Sequence, residues 1–252
     1  MNNDKGSEKT ETEVEYMKRL NNLINTNQMT IHDYLYKLHC RVPVHPNHIN
    51  YLKKMKDDFI DEPKIIYDIG SCVIHWTHIA ETVWTDAEYI LFDAFREVEP
   101  LYKNNKYKYH IGLLGDEQDK EVTWYQNHLL PGGNSMYREK NDIVFPPSHF
   151  TMRRMETLAN VVAKHNFPLP DIIKIDVQGC EKNILLGGKD IIKHAKHLII
   201  EMQHTEYNEG APLNTEVIPV IEEMGFRLVT PLFCNNGPDG DYHFENISLS
   251  KN

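Results

Sequence analysis

The pattern of apolar and polar positions predicts strands that alternate with helices along most of the chain. Helical patterns occur at residues 78–84, 98–102, 157–165, 181–186 and 217–224. Short apolar runs, which are typical of buried strands, occur at residues 65–69, 89–92, 109–114, 172–177 and 198–202. Residues 122–125 are predicted to fold back on the third strand as an antiparallel hairpin.

Two further strand patterns lie close together near the end of the chain, at residues 226–232 and 244–249. A turn-rich segment joins them, so they are expected to form an antiparallel pair at one edge of the sheet. Together with the five preceding strands, they predict an α/β fold with a mainly parallel sheet and helices on both faces. A long loop is expected over residues 129–147.

The first 60 residues have a different pattern. Residues 1–12 carry almost no apolar side chain and are predicted to be a disordered tail. From Val14 to Ile24, apolar residues recur at helical spacing, and a second helix is predicted over residues 31–38. We therefore divide the chain into the tail, a helical arm over 13–60 and a main domain over 61–252. The arm either packs on this domain or forms a homodimer contact.

Composition and charge exclude several classes of protein. The 252 residues include 27 Lys and Arg against 37 Asp and Glu, a net charge of −10, which argues against a nucleic-acid partner. The N-terminus has no secretory signal, and no apolar run is long enough to span a membrane. The four cysteines are too far apart in sequence for a zinc ribbon or a redox pair, so we expect a reduced, cytoplasmic protein.

Polar residues follow each of the five predicted parallel strands. Three of them are Asp68, Asp93 and Asp176, and the segments Gly115-Asp116 and Glu201–His204 follow the other two. In such sheets, ligands bind at the carboxyl ends of the strands, and an acidic residue after the second strand is suited to two ribose hydroxyls. The glycines of a dinucleotide fingerprint are absent. A cofactor with a ribose but no pyrophosphate fits better, and S-adenosylmethionine is the obvious one.

These segments resemble FkbM-type methyltransferases over roughly residues 60–250. The most specific is IIKIDVQGCEKNILLGG at residues 172–188, which is similar to that family's KIDVEG segment. The other matching segments are IIYDIGS (65–71), FDAF (92–95), HIGLLGDE (110–117), GGNSM (132–136), TL (157–158) and HLIIEMQHTEYNEG (197–210). The resemblance implies a seven-stranded, Rossmann-like class I methyltransferase fold. It also implies methyl transfer from S-adenosylmethionine, often to a hydroxyl of a sugar or a natural product.

The resemblance also suggests which residues hold the cofactor. Asp93 is expected to bind the ribose, Asp68 to lie near the cofactor's amino group and Asp116 to meet the adenine edge. Asn134 and Ser135 are expected to line the cofactor or substrate pocket. The complete set of candidates is Asp68, Gly70, Ser71, Cys72, Asp93, Ala94, Gly115, Asp116, Asn134, Ser135, Asp176 and Gln178.

Two departures from the family pattern favour an alternative function. Ile74 stands where the family's first motif has a second glycine, and its side chain is expected to narrow the space near the methionine part of the cofactor. Gln178 replaces the usual Glu and cannot act as a base. The alternative is therefore a catalytically inactive relative that binds a nucleoside or a partner protein. A nicotinamide-dependent oxidoreductase is disfavoured because its glycines are missing.

The candidates for catalysis are Asp176, Glu201 and His204, at the ends of the fourth and fifth strands. An alcohol is a poor nucleophile at neutral pH, so its proton must be removed, and a histidine suits that role. The three could also hold a divalent metal that binds vicinal hydroxyls, but their spacing does not favour it. The expected reaction is O-methylation of a small-molecule or glycan acceptor, with N-methylation left open.

Overall fold

The computed structural model describes residues 13–41, 46–59 and 62–249. The tail predicted over residues 1–12 lies outside the described residues. The strands are β1 (Ile65–Ile69), β2 (Glu88–Asp93), β3 (Lys108–Ile111), β4 (Leu113–Leu114), β5 (Glu121–Tyr125), β6 (Phe150–Glu156), β7 (Ile172–Ile175), β8 (His197–Gln203), β9 (Phe226–Asn235) and β10 (Asp239–Asn246).

Seven strands form one sheet in the order β3-β2-β1-β7-β8-β10-β9. The pairs from β3 to β8 are parallel, whereas β10 is antiparallel to both of its neighbours. The mainly parallel sheet with a final antiparallel pair is thus confirmed. The strand order reverses between β1 and β7, which is where a ligand is expected to bind.

Helices cover both faces of this sheet. They are α1 (Glu13–Asn25), α2 (Ile31–Cys40), α3 (Pro46–Phe59), α4 (His75–Glu81), α5 (Glu99–Asn104), α6 (Leu158–His165), α7 (Glu181–Ile192) and α8 (Asn214–Glu223). Alternate residues of the strands enter two separate apolar cores: Ile66 and Ile172 pack in one, Tyr67 and Ile173 in the other. Burial on both faces explains why these strands read as unbroken apolar runs.

A small second sheet corrects the predicted hairpin. Strand β5 pairs with β6, and not with the third strand; β6 also pairs with β4. The predicted third strand is divided in two: β3 ends at Ile111, and Leu113–Leu114 form β4, which pairs with β6. Strand β6 was not predicted, because most of the side chains in its sequence, FTMRRME, are exposed or charged.

The helices of the predicted arm pack against the main sheet. Leu35, Leu52 and Met55 are fully buried in the same core as Ile66. The Tyr34 hydroxyl donates to the carbonyl of Leu129 at 2.7 Å. These contacts show packing on the rest of the chain, and a homodimer contact stays a prediction. In the part of the chain that is described, no helix has the length and apolar character needed to cross a bilayer.

Candidate functional site

Two cavities adjoin at the carboxyl ends of β1, β2, β7 and β8. We name them the Trp124 cavity, of about 260 Å³, and the Trp76 cavity, of about 430 Å³, after a tryptophan in each wall. Both are bordered by Gly70, Cys72, Gly132, Asp176 and Glu201. The predicted residues at the ends of β1, β7 and β8 therefore meet at the junction of the two cavities.

The turn after β1 brings its backbone against the end of β7. Gly70 has φ +87°, and a Cβ atom there would lie 1.7 Å from the carbonyl oxygen of Asp176. Only glycine fits this position, for reasons of packing as well as backbone conformation. Ser71 donates its hydroxyl to the carbonyl of Asp68 at 2.6 Å and borders only the Trp76 cavity.

Ile74 does not narrow the site, contrary to the expectation from the sequence. It begins α4 in a left-handed conformation with φ 58°, the conformation for which a glycine is best suited. Its side chain is completely buried in an apolar core and borders neither cavity. A β-branched residue is strained in this conformation. The burial of the apolar Ile74 side chain offsets the cost of that strain.

Asp93 connects the turn that follows β1 to the turn that follows β2. Its Oδ2 accepts from the Cys72 amide and its Oδ1 from the Phe95 amide, both at 2.7 Å. Burial raises the pKa of Asp93 to about 6, with the backbone hydrogen bonds acting against that shift. Each carboxylate oxygen retains a further lone pair, so this side chain in the wall of the Trp124 cavity can still accept two hydroxyl protons.

Asp68 lies beneath the site and borders neither cavity. Its Oδ2 accepts from the Thr77 hydroxyl of α4 at 2.5 Å. Burial raises the pKa of Asp68 to about 7, although Thr77 and Lys174 work in the opposite direction. The observed role of Asp68 is to fix α4 to β1, and a direct contact with a cofactor's amino group stays a prediction.

The far wall of the Trp124 cavity is mostly apolar. It contains Ala94, Trp124, Ile184 and residues 112–114. Gly115 and Asp116, which were predicted to lie here, are not part of the wall. The cause is the early end of β3, which places Gly112 to Leu114 where the later residues were expected. Gly115 instead packs its backbone against Gly187 of α7.

The predicted loop contributes Asn134 to the wall of the Trp124 cavity, and Ser135 holds the loop in place. Asn134 Oδ1 accepts from the Asn127 amide at 2.6 Å, while its buried Nδ2 has no hydrogen-bond partner among the described residues. Asn134 borders the cavity, so Nδ2 is a donor available to a ligand. Ser135 is fully buried and donates to the carbonyl of Gln178 at 2.7 Å, which fixes the loop to the end of β7.

Asp176 and Glu201 are linked by the amide of Gln178. The Nε2 of Gln178 donates to Glu201 at 2.9 Å and lies 3.4 Å from Asp176 Oδ1. Its Oε1 accepts from the Tyr207 hydroxyl at 2.6 Å. Burial, followed by the charge of Asp176, raises the pKa of Glu201 well above its ordinary value. Burial and the neighbouring carboxylate therefore favour the protonated form of Glu201.

His204 does not join the other two catalytic candidates. Its Nδ1 lies 2.9 Å from the Tyr242 hydroxyl and 3.5 Å from Asn214, and the side chain borders neither cavity. The ring is directed to α8 and β10, because Tyr242 offers it a hydrogen bond there. The predicted divalent-metal set of Asp176, Glu201 and His204 is consequently not assembled.

The Trp76 cavity contains functional candidates that sequence reasoning missed. Trp76 Nε1 and Asp239 Oδ1 are buried without a hydrogen-bond partner among the described residues. Asn236 also borders this cavity and donates to Glu201 at 3.0 Å. Trp76 comes shortly after the IIYDIGS segment at residues 65–71, and this closeness in sequence could have marked it as a candidate. Asp239 lies in a turn-rich stretch, and only the pairing of β10 with β8 brings it to the site.

A buried cation lies below this cluster of carboxylates. Lys174 Nζ is 2.5 Å from Asp241 Oδ1 and 3.5 Å from Asp176 Oδ2. Burial works against its charge, but Asp241 and then Asp176 raise the pKa of Lys174 well above its ordinary value. Lys174 therefore stays protonated and cannot be the base that removes a substrate proton.

The sheet order and the cavities at its carboxyl edge define a class I, Rossmann-like methyltransferase fold. Residues 68–228 match the methyltransferase FkbM domain, and the chain belongs to that family. The family and fold are those of S-adenosylmethionine-dependent methyltransferases. No curated protein sequence matches the chain.

Solved structures with a similar fold have little sequence identity to this chain. A precorrin-6y C5,15-methyltransferase from Geobacter metallireducens is 8% identical, with a TM-score of 0.46 over 81% of this chain and 90% of that one. Human N-acetylserotonin methyltransferase in complex with SAM is 8% identical, with a TM-score of 0.48. The alignment covers 90% of this chain but only 58% of the human one.

Proposed function

We propose that this chain transfers a methyl group from S-adenosylmethionine to a hydroxyl of a carbohydrate or a related small molecule. The observation that carries the proposal is the position of Asp93. Its carboxylate is held by two backbone amides at the end of β2, beside an apolar cavity that continues to the Asp176–Glu201 pair. The four free thiols support a cytoplasmic location.

The residues of the Trp124 cavity fit this cofactor. Its apolar far wall suits an adenine ring, and Asp93 suits the two ribose hydroxyls. The unpartnered Nδ2 of Asn134 offers a hydrogen bond to a ring nitrogen or a carboxylate oxygen. Asp176, at the junction, provides negative charge for a sulfonium and an ammonium group. The cofactor would supply an electrophilic methyl group with a good leaving group.

The Trp76 cavity fits a polyhydroxylated acceptor. A sugar carries donors and acceptors on every side, and this cavity presents an unpartnered donor on Trp76 and an unpartnered acceptor on Asp239. The Trp76 ring also offers an aromatic surface against which a sugar ring can pack. Because this cavity shares Asp176 with the Trp124 cavity, an acceptor hydroxyl bound here is next to the cofactor's site.

Asp176 is the residue we assign to proton removal. The acceptor oxygen forms a bond to the methyl carbon as the carbon–sulfur bond breaks, and the hydroxyl proton passes to the Asp176 carboxylate. The amide of Gln178, which also donates to Glu201, orients the Asp176 carboxylate. Positioning of the oxygen supplies a large part of the rate, because the leaving group needs no activation.

Calorimetric titration with S-adenosylhomocysteine tests the cofactor site. We expect micromolar binding to the full chain and a loss of about 1–3 kcal/mol in Asp93→Ala, the range for lost hydrogen bonds to a charged group. Asp190→Ala is the matched control, because Asp190 is an exposed aspartate that pairs with the exposed Lys193. Equal affinity in both variants would place the ribose elsewhere.

A screen with radiolabelled S-adenosylmethionine tests the reaction. Free sugars, glycosides and phenols serve as hydroxyl acceptors, and amines serve to separate O-methylation from N-methylation. Label in a sugar supports the proposal. Cofactor binding with no transfer to any acceptor would instead support the inactive, ligand-binding alternative.

A further inference from the structure

Three side chains with metal-binding atoms meet where the arm contacts the edge of the sheet. His48 of α3, Cys234 of β9 and Asp241 of β10 place one nitrogen, one sulfur and one oxygen atom within 4.8 Å of one another. Cys234 and Asp241 are buried, and His48 is half-buried. We propose that these three residues bind a zinc-type transition metal ion.

The chemistry of the three donors favours such an ion over magnesium or calcium. Imidazole nitrogen, thiolate sulfur and carboxylate oxygen are all zinc ligands, whereas the hard cations prefer oxygen alone. Two ligands bonded to one tetrahedral zinc lie roughly 3–3.5 Å apart. The 3.1 Å between His48 Nε2 and Asp241 Oδ2 agrees with this spacing.

The surroundings of Asp241 orient it for this role. Its Oδ1 is held by the ammonium group of Lys174 at 2.5 Å, which leaves Oδ2 directed towards His48. A buried hydrogen bond to the second oxygen is the usual way in which a metal-binding carboxylate is fixed. Without a metal, His48 Nε2 lies 3.1 Å from Asp241 Oδ2, and the thiol of Cys234 donates to Asn236 Oδ1 at 3.4 Å.

The position of the trio links this metal to the acceptor cavity. His48 and Asp241 both border the Trp76 cavity, together with Asp239. Three protein ligands leave the fourth position of a tetrahedral zinc open, as in catalytic zinc sites. That position is suited to water or to an oxygen of the acceptor. The ion would also join the arm to β9 and β10 by direct bonds.

Cobalt(II) spectroscopy tests the site without any need for activity. The full-length protein is treated with a chelator, desalted and titrated with Co²⁺ in the absence of cofactor. We expect one equivalent to give tetrahedral visible bands and a thiolate-to-cobalt band in the near ultraviolet. Added Zn²⁺ should abolish both, and Mg²⁺ in large excess should not.

Two variants separate this site from other thiols and from simple misfolding. Cys234→Ser should lose the thiolate band and bind Co²⁺ at least tenfold more weakly, while the matched Cys40→Ser, at an exposed cysteine, should behave as wild type. His48→Gln should weaken binding similarly, with an unchanged circular dichroism spectrum as the check on folding. No tetrahedral spectrum in wild type, or an undiminished thiolate band in Cys234→Ser, would overturn the proposal.

Discussion

Lys174 and Asp241 form a buried ion pair that joins the middle of β7 to β10, with side chains only 1% and 2% exposed. Strand β8 lies between those two strands, so the pair reaches across it on one face of the sheet. The contact explains why a lysine is tolerated within an otherwise apolar strand. The contact also holds Lys174 close to the functional site, since its Nζ atom lies 3.5 Å from the Asp176 carboxylate.

Loss of Lys174 should strongly destabilise the protein. Lys174→Met removes the ammonium group from the buried Asp241 carboxylate and leaves it only its contact with His48; breaking a buried ion pair in this way typically costs about 3–5 kcal/mol. Urea unfolding monitored by circular dichroism gives the free energy. Lys193→Met is the control, because Lys193 forms an exposed ion pair on α7 and its loss should cost less than about 1 kcal/mol. Similar free energies for both variants would mean that the buried pair is not formed.

Asn134→Asp should weaken cofactor binding while leaving the fold intact. The variant keeps the oxygen that accepts from the Asn127 amide but replaces the free Nδ2 donor with an acceptor. We expect the affinity for S-adenosylhomocysteine to fall by about 1–2 kcal/mol in calorimetry. Asn166→Asp, at the left-handed end of α6, is the control and should bind normally. Unchanged binding by Asn134→Asp would remove Asn134 from the cofactor site.

Asp176→Asn should impair the chemical step far more than it weakens cofactor binding. Because asparagine cannot accept the hydroxyl proton, we expect kcat to fall by roughly 10²–10⁴-fold, the usual contribution of a general base. The measurement is labelled methyl transfer to the acceptor found in the screen, combined with the Kd for S-adenosylhomocysteine. Glu117→Gln, an exposed carboxylate, serves as the control. A kcat within threefold of wild type would assign proton removal to another group.

A chain of hydrogen bonds between α3 and the sheet predicts a pH-dependent stability. The Tyr51 hydroxyl lies 2.8 Å from His243 Nδ1, and His243 Nε2 lies 2.9 Å from His197 Nδ1. If Tyr51 donates, both rings are neutral and each contact has one donor and one acceptor. Burial lowers the pKa of His197 from 6.5 to about 4 and that of His243 to about 3.

Protonation of these rings favours the unfolded chain, which binds the proton at a higher pH. The contribution of neutral His197 to the free energy of unfolding is fully present above pH 6.5 and is lost as the pH falls towards 4. Between pH 7 and pH 5, wild type should therefore lose about 2 kcal/mol more than His197→Asn, which keeps a polar atom near the position of Nδ1. Urea unfolding at both pH values measures this, and parallel losses would contradict it.

The central parallel strands β1, β7 and β8 were predictable because burial on both faces leaves most of their positions apolar. Strand β6 was not predictable in this way, since it exposes most of its side chains. Strand β3 ends at Ile111 because Leu113 and Leu114 pair with β6 instead, a tertiary contact that the apolar run over residues 109–114 does not reveal. That single difference explains why Gly115 and Asp116 were assigned to the cofactor wall.

The site was predictable wherever strand ends determine it. Asp93, Asp176 and Glu201 lie at or near the carboxyl ends of buried strands, and the parallel sheet brings them to one edge. His204 also follows a strand, but Tyr242 of β10 binds its ring, and the sequence gives no sign of that contact. Asp239 was missed for the opposite reason, because only the antiparallel pairing of β10 with β8 brings it to the cavity.

The two cavities draw on different parts of the polypeptide. Every residue in the wall of the Trp124 cavity lies within the stretch shared with the family, residues 68–228. Part of the wall of the Trp76 cavity comes from outside that stretch. His48 precedes it in the sequence, and Asn236, Asp239 and Asp241 follow it. With the acceptor and the methyl donor bound as we propose, acceptor preference would change through the flanking segments alone, while the shared stretch would continue to present the same methyl donor.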